Sequence, residues 1–384
     1  MVRHPIADAN ESSPFGELSP SEFYSRHSVA HTTSTFLNPD NLRIFTQTWT
    51  PTDRQQLLGT VCVVHGYTGE SSWFVQLTSV LLAQSGFAVA AIDHAGHGFS
   101  DGLHAHVPSI TPVVRDCVSF FDSFRSQHEP LPSFLYSESL GGAIALLMHF
   151  QEAEAGEGTL RRRRPYDGIV LNGAMCGISQ KFKPPWPLEH LLSLAAALVP
   201  TWQVVPTRGS IPDVSFKVGW KRRLALASPR RRAVRPRAAT AKELLRVCGE
   251  VQARFEEVTA PFLIVHGGED VVCDPVRRGA LQEGEQPGQD DQDIPRDVAP
   301  AGRGARRGRR PGLRGRRGLA QGACARGGKD RERRRGRSRI RTVTGLRSMY
   351  ERRWYVLSIY RASVVQCFIR DDHERFPNKL NKIE

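Results

Sequence analysis

The sequence predicts an α/β fold, with a mostly parallel sheet and helices on both of its faces. Short, almost wholly apolar runs recur along residues 41–275, as strands buried on both faces do. Stretches with helical spacing separate these runs, which is the order of βαβ units. From residue 276 onward the alternation ends, so the predicted fold occupies the first part of the 384-residue chain.

The elements can be followed in order. Residues 1–40 are polar and rich in Ser, Pro and His, and we interpret them as a lead-in segment. The stretch LRIFTQTW alternates apolar and polar residues, as a half-buried strand does. Buried strands are then predicted in GTVCVVHG, FAVAAID, SFLYS, DGIVLNG and PFLIVHGG, with helices in SSWFVQLTSVLLAQSG and LGGAIALLMHFQEAE. Residues 41–175 therefore form the first part of the core, and residues 251–275 supply a later strand.

An insertion separates these two core parts. Residues 176–250 contain two helical patterns, KFKPPWPLEHLLSLAAALVP and TAKELLRVCGEVQARF, joined by a basic stretch with prolines. We predict that this insertion forms a helical lid over the carboxyl ends of the strands, where open α/β sheets bind ligands. Residues 276–384 are rich in Arg and Gly and poor in large apolar residues, which predicts a disordered tail.

The excess positive charge belongs to this tail. The chain carries +14, to which residues 276–384 contribute +15 and residues 1–275 contribute −1. An argument from net charge for nucleic acid binding therefore concerns the tail alone. Its Arg-rich runs resemble disordered RNA-binding tails, which keeps nucleic-acid binding as a less favoured alternative. Aromatic residues that would stack on bases are absent between residues 276 and 348, so we expect no specific nucleic acid partner.

Cysteine usage and hydropathy indicate the compartment. The seven cysteines are odd in number and contain no C-x-x-C pair, which argues against a disulfide framework and favours a reducing compartment. The N-terminus shows no apolar signal-peptide core, and no run of 18 or more apolar residues predicts a membrane span. We expect a cytoplasmic protein without cofactor, whose membrane contact, if any, is peripheral and made through the lid.

The segment LYSESLGGAIAL contains the candidate nucleophile. A strand ends, Ser139 follows and a helix begins at once, as in the G-x-S-x-G nucleophile elbow. The five residues here are Ser137, Glu138, Ser139, Leu140 and Gly141, so a serine replaces the first glycine. The turn would place the Ser139 hydroxyl at a helix N-terminus, where free N–H groups favour an oxyanion. The alternative is an ordinary strand-to-helix turn with a serine N-cap.

A turn after an earlier strand supplies the second part of an oxyanion hole. His65, Gly66 and Tyr67 follow an apolar run at the place where the second donor should lie. We therefore expect the backbone N–H groups of Tyr67 and Leu140 to point at the developing charge. The alternative is an ordinary glycine turn.

A second glycine-containing turn follows the next strand, in AIDHAGHGFSDG. We expect Asp93, His94 and His97 to anchor this loop. The two histidines could indicate a metal site, but no carboxylate or cysteine set completes one. We therefore predict a structural role for them and no metal.

The candidate acid is Asp270, in FLIVHGGEDVVCDP. It follows a buried strand and a glycine turn, where a carboxylate can orient a catalytic histidine. Asp274 is the nearby competitor, and its alternative role is that of a turn residue before Pro275. Serine before aspartate matches the usual chain order of Ser, Asp and His in this fold.

Six segments resemble the plant monoacylglycerol lipase and caffeoylshikimate esterase-like branch of the α/β-hydrolases, within the serine aminopeptidase-like hydrolases. They are HGYTGESSW, DHAGHGFSDG, LYSESLGGA, GISQKFKPPWPLEHLL, TRGSIPDVSFK and VHGGEDVVCDP, and the likeness covers about residues 1–275. The resemblance implies an α/β-hydrolase fold and hydrolysis of carboxylic esters through an acyl-enzyme. Monoacylglycerols, lysophospholipids or phenolic acyl esters would be the substrates. It assigns Ser139 as nucleophile, Asp270 as acid, and Tyr67 and Leu140 as oxyanion donors.

The family's last strand, which carries the catalytic histidine, has no counterpart here. After His266 the sequence contains only His373, in a segment without family likeness. Without a histidine Ser139 has no general base, and residual catalysis rests on binding and the oxyanion hole. The sequence therefore predicts an impaired esterase or, alternatively, a non-catalytic ligand binder that keeps the fold and the pocket.

A change of reading frame is one explanation for this loss. Residues 292–303, QDIPRDVAPAGR, can be encoded by a DNA sequence that has a second meaning. When this DNA is read from its second base and one G is added at its end, it encodes KIYPGMWHQLVG. That stretch resembles the family's missing strand, and its histidine codon straddles Ala299 and Pro300. We hypothesise a single frame change near Pro275 or Val276. The lost strand and helix would expose a sheet edge and apolar surface, which predicts poor solubility.

Overall fold

The computed structural model describes most of the predicted core and one short segment beyond it. The described residues are 3–53, 56–154, 164–179, 188–203, 205, 213, 215–216, 218–230, 235–266, 270, 272–273 and 290–293. Asp274 and His373 lie outside them, as does the predicted disordered tail apart from residues 290–293.

The described strands form one eight-stranded sheet in the order β1-β2-β4-β3-β5-β6-β7-β8. The strands β1 and β2 pair antiparallel, as do β2 and β4, and all other neighbours are parallel. The predicted mostly parallel α/β sheet is therefore confirmed. Their bounds are β1 Val29–Leu37, β2 Arg43–Pro51, β3 Gly59–Val64, β4 Phe87–Ile92, β5 Ser133–Glu138, β6 Gly168–Asn172, β7 Phe262–His266 and β8 Asp290–Asp293.

Helices cover both faces of the sheet. They are α1 Pro20–Arg26, α2 Phe74–Gln84, α3 Thr111–Ser126, α4 Leu140–Glu154, α5 Leu188–Leu198, α6 Gly219–Leu226 and α7 Ala238–Ala253. Along β3, Cys62 and Val64 face a cluster with α3, α4 and α7. Val61 and Val63 face the opposite cluster, with α1, α2 and α6. Because every side chain of β3 is buried, its sequence is a continuous apolar run.

The lead-in segment contains two elements that the sequence did not predict. In α1, a capping box links Ser19 and Glu22, and Phe23 is fully buried in the core. The strand β1 pairs with β2 along its whole length. Most of its side chains are exposed or half-buried, so this edge strand lacks the apolar run that predicted the inner strands.

The insertion between β6 and β7 contains α5, α6 and α7. In α7, Leu244, Val247 and Val251 are buried in the cluster that includes α4, so α7 belongs to the helices that cover the sheet. The α5 helix packs on α7. The role of residues 176–250 as a lid stays a prediction.

The sheet continues beyond β7, where the sequence predicted a bare edge. The strand β8 pairs in parallel with β7, from Leu263 opposite Asp290 to His266 opposite Asp293. Residues 290–293 thus form a strand within the segment for which the sequence predicts disorder. No local pattern indicates this strand, because Asp is depleted in strands and no apolar alternation is present. Backbone hydrogen bonding to an available edge decides the pairing instead.

Candidate active site

The main chain turns sharply between β5 and α4, and Ser139 lies in this turn. Its φ angle is +52°, in the left-handed region that costs a non-glycine residue about 1–3 kcal/mol. Three hydrogen bonds hold this conformation. Ser139 N donates to Asn172 O at 3.1 Å, and Ser139 O accepts from Gly142 N at 2.9 Å and from Met175 N at 2.8 Å. A strained serine held by β6 and its following loop has the geometry of a nucleophile elbow.

Close packing around the turn explains its small residues. A Cβ atom on Gly141 would lie 2.2 Å from Val64 O, and one on Gly66 would lie 3.0 Å from Ser139 Cβ. Ser137, which replaces the first glycine of the motif, is fully buried and its Oγ donates to Val170 O at 2.9 Å. The substitution is therefore accommodated, since the added hydroxyl has an acceptor on the neighbouring strand.

The predicted oxyanion donors lie on either side of Ser139. Leu140 is the first residue of α4, so its N–H lies at the N-terminus of that helix. Tyr67 follows Gly66, the residue that packs on Ser139 Cβ, and its side-chain hydroxyl donates to Ala105 O at 2.9 Å. Neither backbone N–H donates to an acceptor among the described residues. Both donors are thus available to a ligand at Ser139.

A layer of buried histidines lies beneath the Gly66–Tyr67 turn. His94 N donates to His65 Nε2 at 3.1 Å, and His94 Nε2 lies 3.2 Å from His65 O. Burial lowers the pKa of His65 to about 4, and burial with the neighbouring His65 lowers that of His97 to about 3. These imidazoles are therefore neutral at pH 7. In the part of the chain that the structure describes, no group of three or more His, Cys, Asp or Glu side chains is arranged to hold a metal ion.

Asp93 fixes the loops around this layer. Its Oδ1 accepts from Ser71 N at 2.7 Å and from Ser71 Oγ at 2.6 Å, and its Oδ2 accepts from Phe99 N at 3.0 Å. The carboxylate therefore ties the loop after β3 to the loop after β4.

Asp270 lies just beyond β7, beside the nucleophile turn. Its Oδ1 accepts from Val272 N at 2.8 Å and from Cys273 N at 3.0 Å. Its Oδ2 lies 3.4 Å from His266 Nε2. Cys273 in turn places its Sγ 3.9 Å from Ser139 Oγ. One short segment therefore connects the candidate acid to the candidate nucleophile.

The contact between Ser139 and Cys273 was not predicted from the sequence. Cys273 is buried, and burial raises the pKa of its thiol to about 12, so the sulfur stays protonated and does not act as a base. Among the described residues, no histidine nitrogen forms a hydrogen bond with Ser139 Oγ. The structure brings together Ser139, the Tyr67 turn and Asp270, and it places no described imidazole between them.

Comparisons with known proteins agree with this geometry. Residues 55–288 match the family described as Serine aminopeptidase, S33 (Hydrolase_4). Caffeoylshikimate esterase of Arabidopsis thaliana is 31% identical over 271 residues, covering 70% of this chain and 78% of its own. Monoglyceride lipase of Homo sapiens is 27% identical over 242 residues, covering 62% and 73%.

A solved structure shows the same fold. It is a soluble variant of monoglyceride lipase from Saccharomyces cerevisiae, with a TM-score of 0.55 and 17% identity, covering 68% of this chain and 84% of its own. With the family match spanning more than half of the sequence, this chain belongs to the serine aminopeptidase S33 (Hydrolase_4) family of α/β-hydrolases.

Proposed function

We propose that this chain is a serine hydrolase of carboxylic esters that acts through an acyl-enzyme at Ser139. The observation that carries the proposal is the left-handed Ser139 between β5 and α4, beside two unpaired backbone donors. The names of its relatives, an esterase and lipases, favour ester substrates. Monoacylglycerols, lysophospholipids and phenolic acyl esters are the proposed substrate class.

The proposal gives each group a role. Ser139 Oγ attacks the acyl carbon, and the N–H groups of Tyr67 and Leu140 stabilise the oxyanion that forms. Each such donor contributes roughly 10²–10³ in rate in serine hydrolases. The base takes the hydroxyl proton of Ser139 and passes it to the leaving alcohol, while the acyl group stays on Ser139. Water then gives a proton to the same base, attacks the acyl group and releases it as the acid, and Ser139 regains its proton. In the proposal, the Asp270 carboxylate orients the imidazole base.

The base itself decides how active the chain is. We propose that the reading frame changes near codon 275 and that the imidazole is encoded in the original frame, by a codon that straddles Ala299 and Pro300. The strand β8 occupies the place beside β7, a few residues before that position, but its residues are Asp, Asp, Gln and Asp. In the chain as it stands we expect turnover limited by loss of the base. The alternative is a ligand-binding protein that keeps the pocket without turnover.

Covalent labelling tests the role of Ser139 independently of the base. A fluorophosphonate ester reacts with an activated serine, so the full-length chain should be labelled, slowly, and Ser139→Ala should not. Ser137→Ala is the matched control, because its hydroxyl is already bound to Val170 O. Equal labelling of wild type and Ser139→Ala would contradict the proposal.

We also propose that the protein is cytoplasmic and meets lipid substrates through the insertion. Cys62, Cys117, Cys176, Cys248 and Cys273 are all free and buried, as suits a reducing compartment. Within the described ranges, no helix is long and apolar enough to cross a membrane.

The contact with lipid substrates is proposed for helix α5 of the insertion. On α5, Leu191, Leu194 and Leu198 are exposed at helical spacing, which gives this helix an apolar outer face.

A further inference from the structure

Three polar side chains meet at the carboxyl ends of β5 and β6, next to the candidate nucleophile. Tyr136 and Glu138 lie two residues apart on β5, so they share one face of the sheet. Asn172 is the last residue of β6, and the strand register places it directly opposite Glu138. The three side chains therefore lie on the same face, and Ser139 follows Glu138 in the chain. We call them the polar network.

Hydrogen bonds join the polar network in one direction. Asn172 Nδ2 donates to the hydroxyl oxygen of Tyr136 at 3.0 Å. The Tyr136 hydroxyl in turn donates to Glu138 Oε1 at 3.1 Å. Tyr136 is buried, while Glu138 and Asn172 are half-buried. The Tyr136 hydroxyl thus has both a donor and an acceptor, which fixes its position between the two strand ends.

The polar network is closed through the main chain of Ser139. Ser139 N donates to Asn172 O at 3.1 Å, and the peptide bond to Glu138 joins Ser139 to the other end of the network. The polar network and the main chain of Ser139 thus form a closed ring. A shift of Asn172 or Glu138 would therefore move the main chain at Ser139, whose φ angle is +52°.

Other hydrogen bonds act on the opposite side of the nucleophile. Ser139 O accepts from Gly142 N at 2.9 Å and from Met175 N at 2.8 Å. The polar network acts on the N–H side, because it fixes Asn172, whose carbonyl accepts from Ser139. The two sides of the strained residue are thus held by separate groups.

A carboxyl group in this place lowers stability unless it is hydrogen-bonded. Tyr136 belongs to an apolar cluster with Val61, Val63 and Val170. Burial raises the pKa of Glu138 above its ordinary value of 4.5, and the hydrogen bond from Tyr136 opposes this effect. An apolar side chain would avoid the desolvation of a carboxyl group. Residues that depart from such local rules are expected at functional sites.

We propose that Tyr136 and Glu138 are positioning residues, which hold the nucleophile Ser139 in its reactive conformation through Asn172. They touch no substrate and act only through the main chain of Ser139. The proposal rests on the proposed function, because it assigns these residues to the reactivity of Ser139. The position of the turn can also be measured without any reaction, so the two proposals can fail separately.

Tyr136→Phe removes the central hydroxyl and keeps the ring. We expect fluorophosphonate to label Ser139 about tenfold more slowly, since a hydrogen bond to a carboxylate contributes on that order. The reagent concentration that gives half of the maximal rate should not change, because the network does not touch the reagent. The matched control is Tyr24→Phe, whose buried hydroxyl donates to Gln76 Oε1 at 2.7 Å. It should lower the melting temperature similarly and leave the labelling rate unchanged.

Two substitutions of Glu138 test whether its acceptor oxygen is what matters. Glu138→Gln keeps an acceptor for the Tyr136 hydroxyl and should be labelled nearly as fast as the wild type. Glu138→Leu removes the acceptor and should be labelled as slowly as Tyr136→Phe. Combining Glu138→Leu with Tyr136→Phe should cause little further loss, because both changes remove the same hydrogen bond. Equal labelling of Glu138→Gln and Glu138→Leu would contradict the proposal.

Amide hydrogen exchange separates this proposal from the proposed function. Mass spectrometry of a peptide covering residues 137–142 in the full-length chain follows the Ser139 N–H without any reaction at its hydroxyl. We expect exchange to be about tenfold faster in Tyr136→Phe and Glu138→Leu and unchanged in Tyr24→Phe. Absence of labelling in the wild type would contradict the proposed function, and exchange alone would then decide the role of the network.

Unchanged exchange in Tyr136→Phe and Glu138→Leu would overturn the proposal. Slower labelling without faster exchange would overturn it too, because the hydroxyl would then act in some way other than through the main chain of Ser139. Thermal melting shows whether each variant is folded. If Tyr136→Phe does not fold, the comparison of Glu138→Gln with Glu138→Leu decides by itself.

Discussion

The two halves of the candidate active site are held in different ways. In the nucleophile half, the main chain of Ser139 is bonded to residues of β6 and its following loop, and Gly141 packs directly on the end of β3. In the acid half, Asp270 accepts from the N–H groups of Val272 and Cys273, two and three residues further along the chain. Its other described contact is His266 at 3.4 Å.

This difference teaches which part of the site depends on the chain after residue 275. The nucleophile half is built from strands β3, β4, β5 and β6, and all the residues that pair these strands with one another precede residue 175. These pairings involve no residue after residue 275. The acid half depends on the chain after β7, where the family's histidine would lie. Reactivity of Ser139 and turnover of esters should therefore be separable.

The largest expected effect is the restoration of the reading frame. A one-base correction near codon 275 should return the stretch KIYPGMWHQLVG and its histidine. We expect ester turnover to rise by roughly 10⁴–10⁶-fold, because the general base of a serine hydrolase contributes on that order. Hydrolysis of a monoacylglycerol or a p-nitrophenyl ester measures the change, and adding Ser139→Ala should abolish the gain.

The transcript itself shows which chain is natural. Sequencing the cDNA across codons 270–305 should reveal one base more or fewer than a coding sequence for the present chain would contain. If the transcript encodes the present chain and the corrected chain gains no activity, the hypothesis of a changed reading frame is wrong. A soluble, monomeric chain with a cooperative melt in its present form would also count against it.

A smaller effect is expected from Gly141→Ala, which acts on the nucleophile half. The new Cβ would lie 2.2 Å from Val64 O, so α4 or β3 must shift. We expect a loss of about 3 kcal/mol in the free energy of unfolding, together with loss of fluorophosphonate labelling. Denaturant unfolding measures the first quantity.

The matched control is Gly249→Ala on α7, where a Cβ would meet nothing within 4 Å. It should stabilise the chain by about 0.5–1 kcal/mol, because Ala favours helix over Gly. If Gly141→Ala and Gly249→Ala change the free energy of unfolding and the labelling in the same way, the close approach of α4 to β3 does not determine the conformation at Ser139.

The sequence predicted the parts of this fold whose signal is local. Strands buried on both faces are continuous apolar runs, and the small residues around Ser139 reflect a turn that excludes larger ones. The edge strand β1 and the strand β8 were missed, because an edge strand takes its stability from pairing rather than from apolar residues. The contact between Ser139 and Cys273 was also missed, since it depends on how the segment after β7 folds back, and no residue pattern encodes that.

The smallest expected effect concerns a buried carboxyl in the loop after Tyr67. Burial, and then the neighbouring charge of Asp93, raise the pKa of Glu70 from 4.5 to about 7. Glu70 accepts from Ser72 N at 2.8 Å and from Ser228 Oγ at 3.2 Å, so it joins this loop to the insertion. The folded chain therefore binds this proton more tightly than the unfolded chain does. The resulting contribution to the free energy of unfolding is fully present below about pH 4.5.

That stability should be lost as the pH rises through 7. A shift of this size corresponds to up to about 3 kcal/mol between the two limits. Glu70→Gln stays neutral at every pH, so it should remove this part of the pH dependence and be the more stable chain at pH 8. Melting temperatures between pH 5 and pH 8 measure it, with the exposed Glu256→Gln as control. If the melting temperatures of wild type and Glu70→Gln change in parallel with pH, Glu70 is ionised in the folded chain. The hydrogen bond from Ser228 would then be accepted by a charged carboxylate.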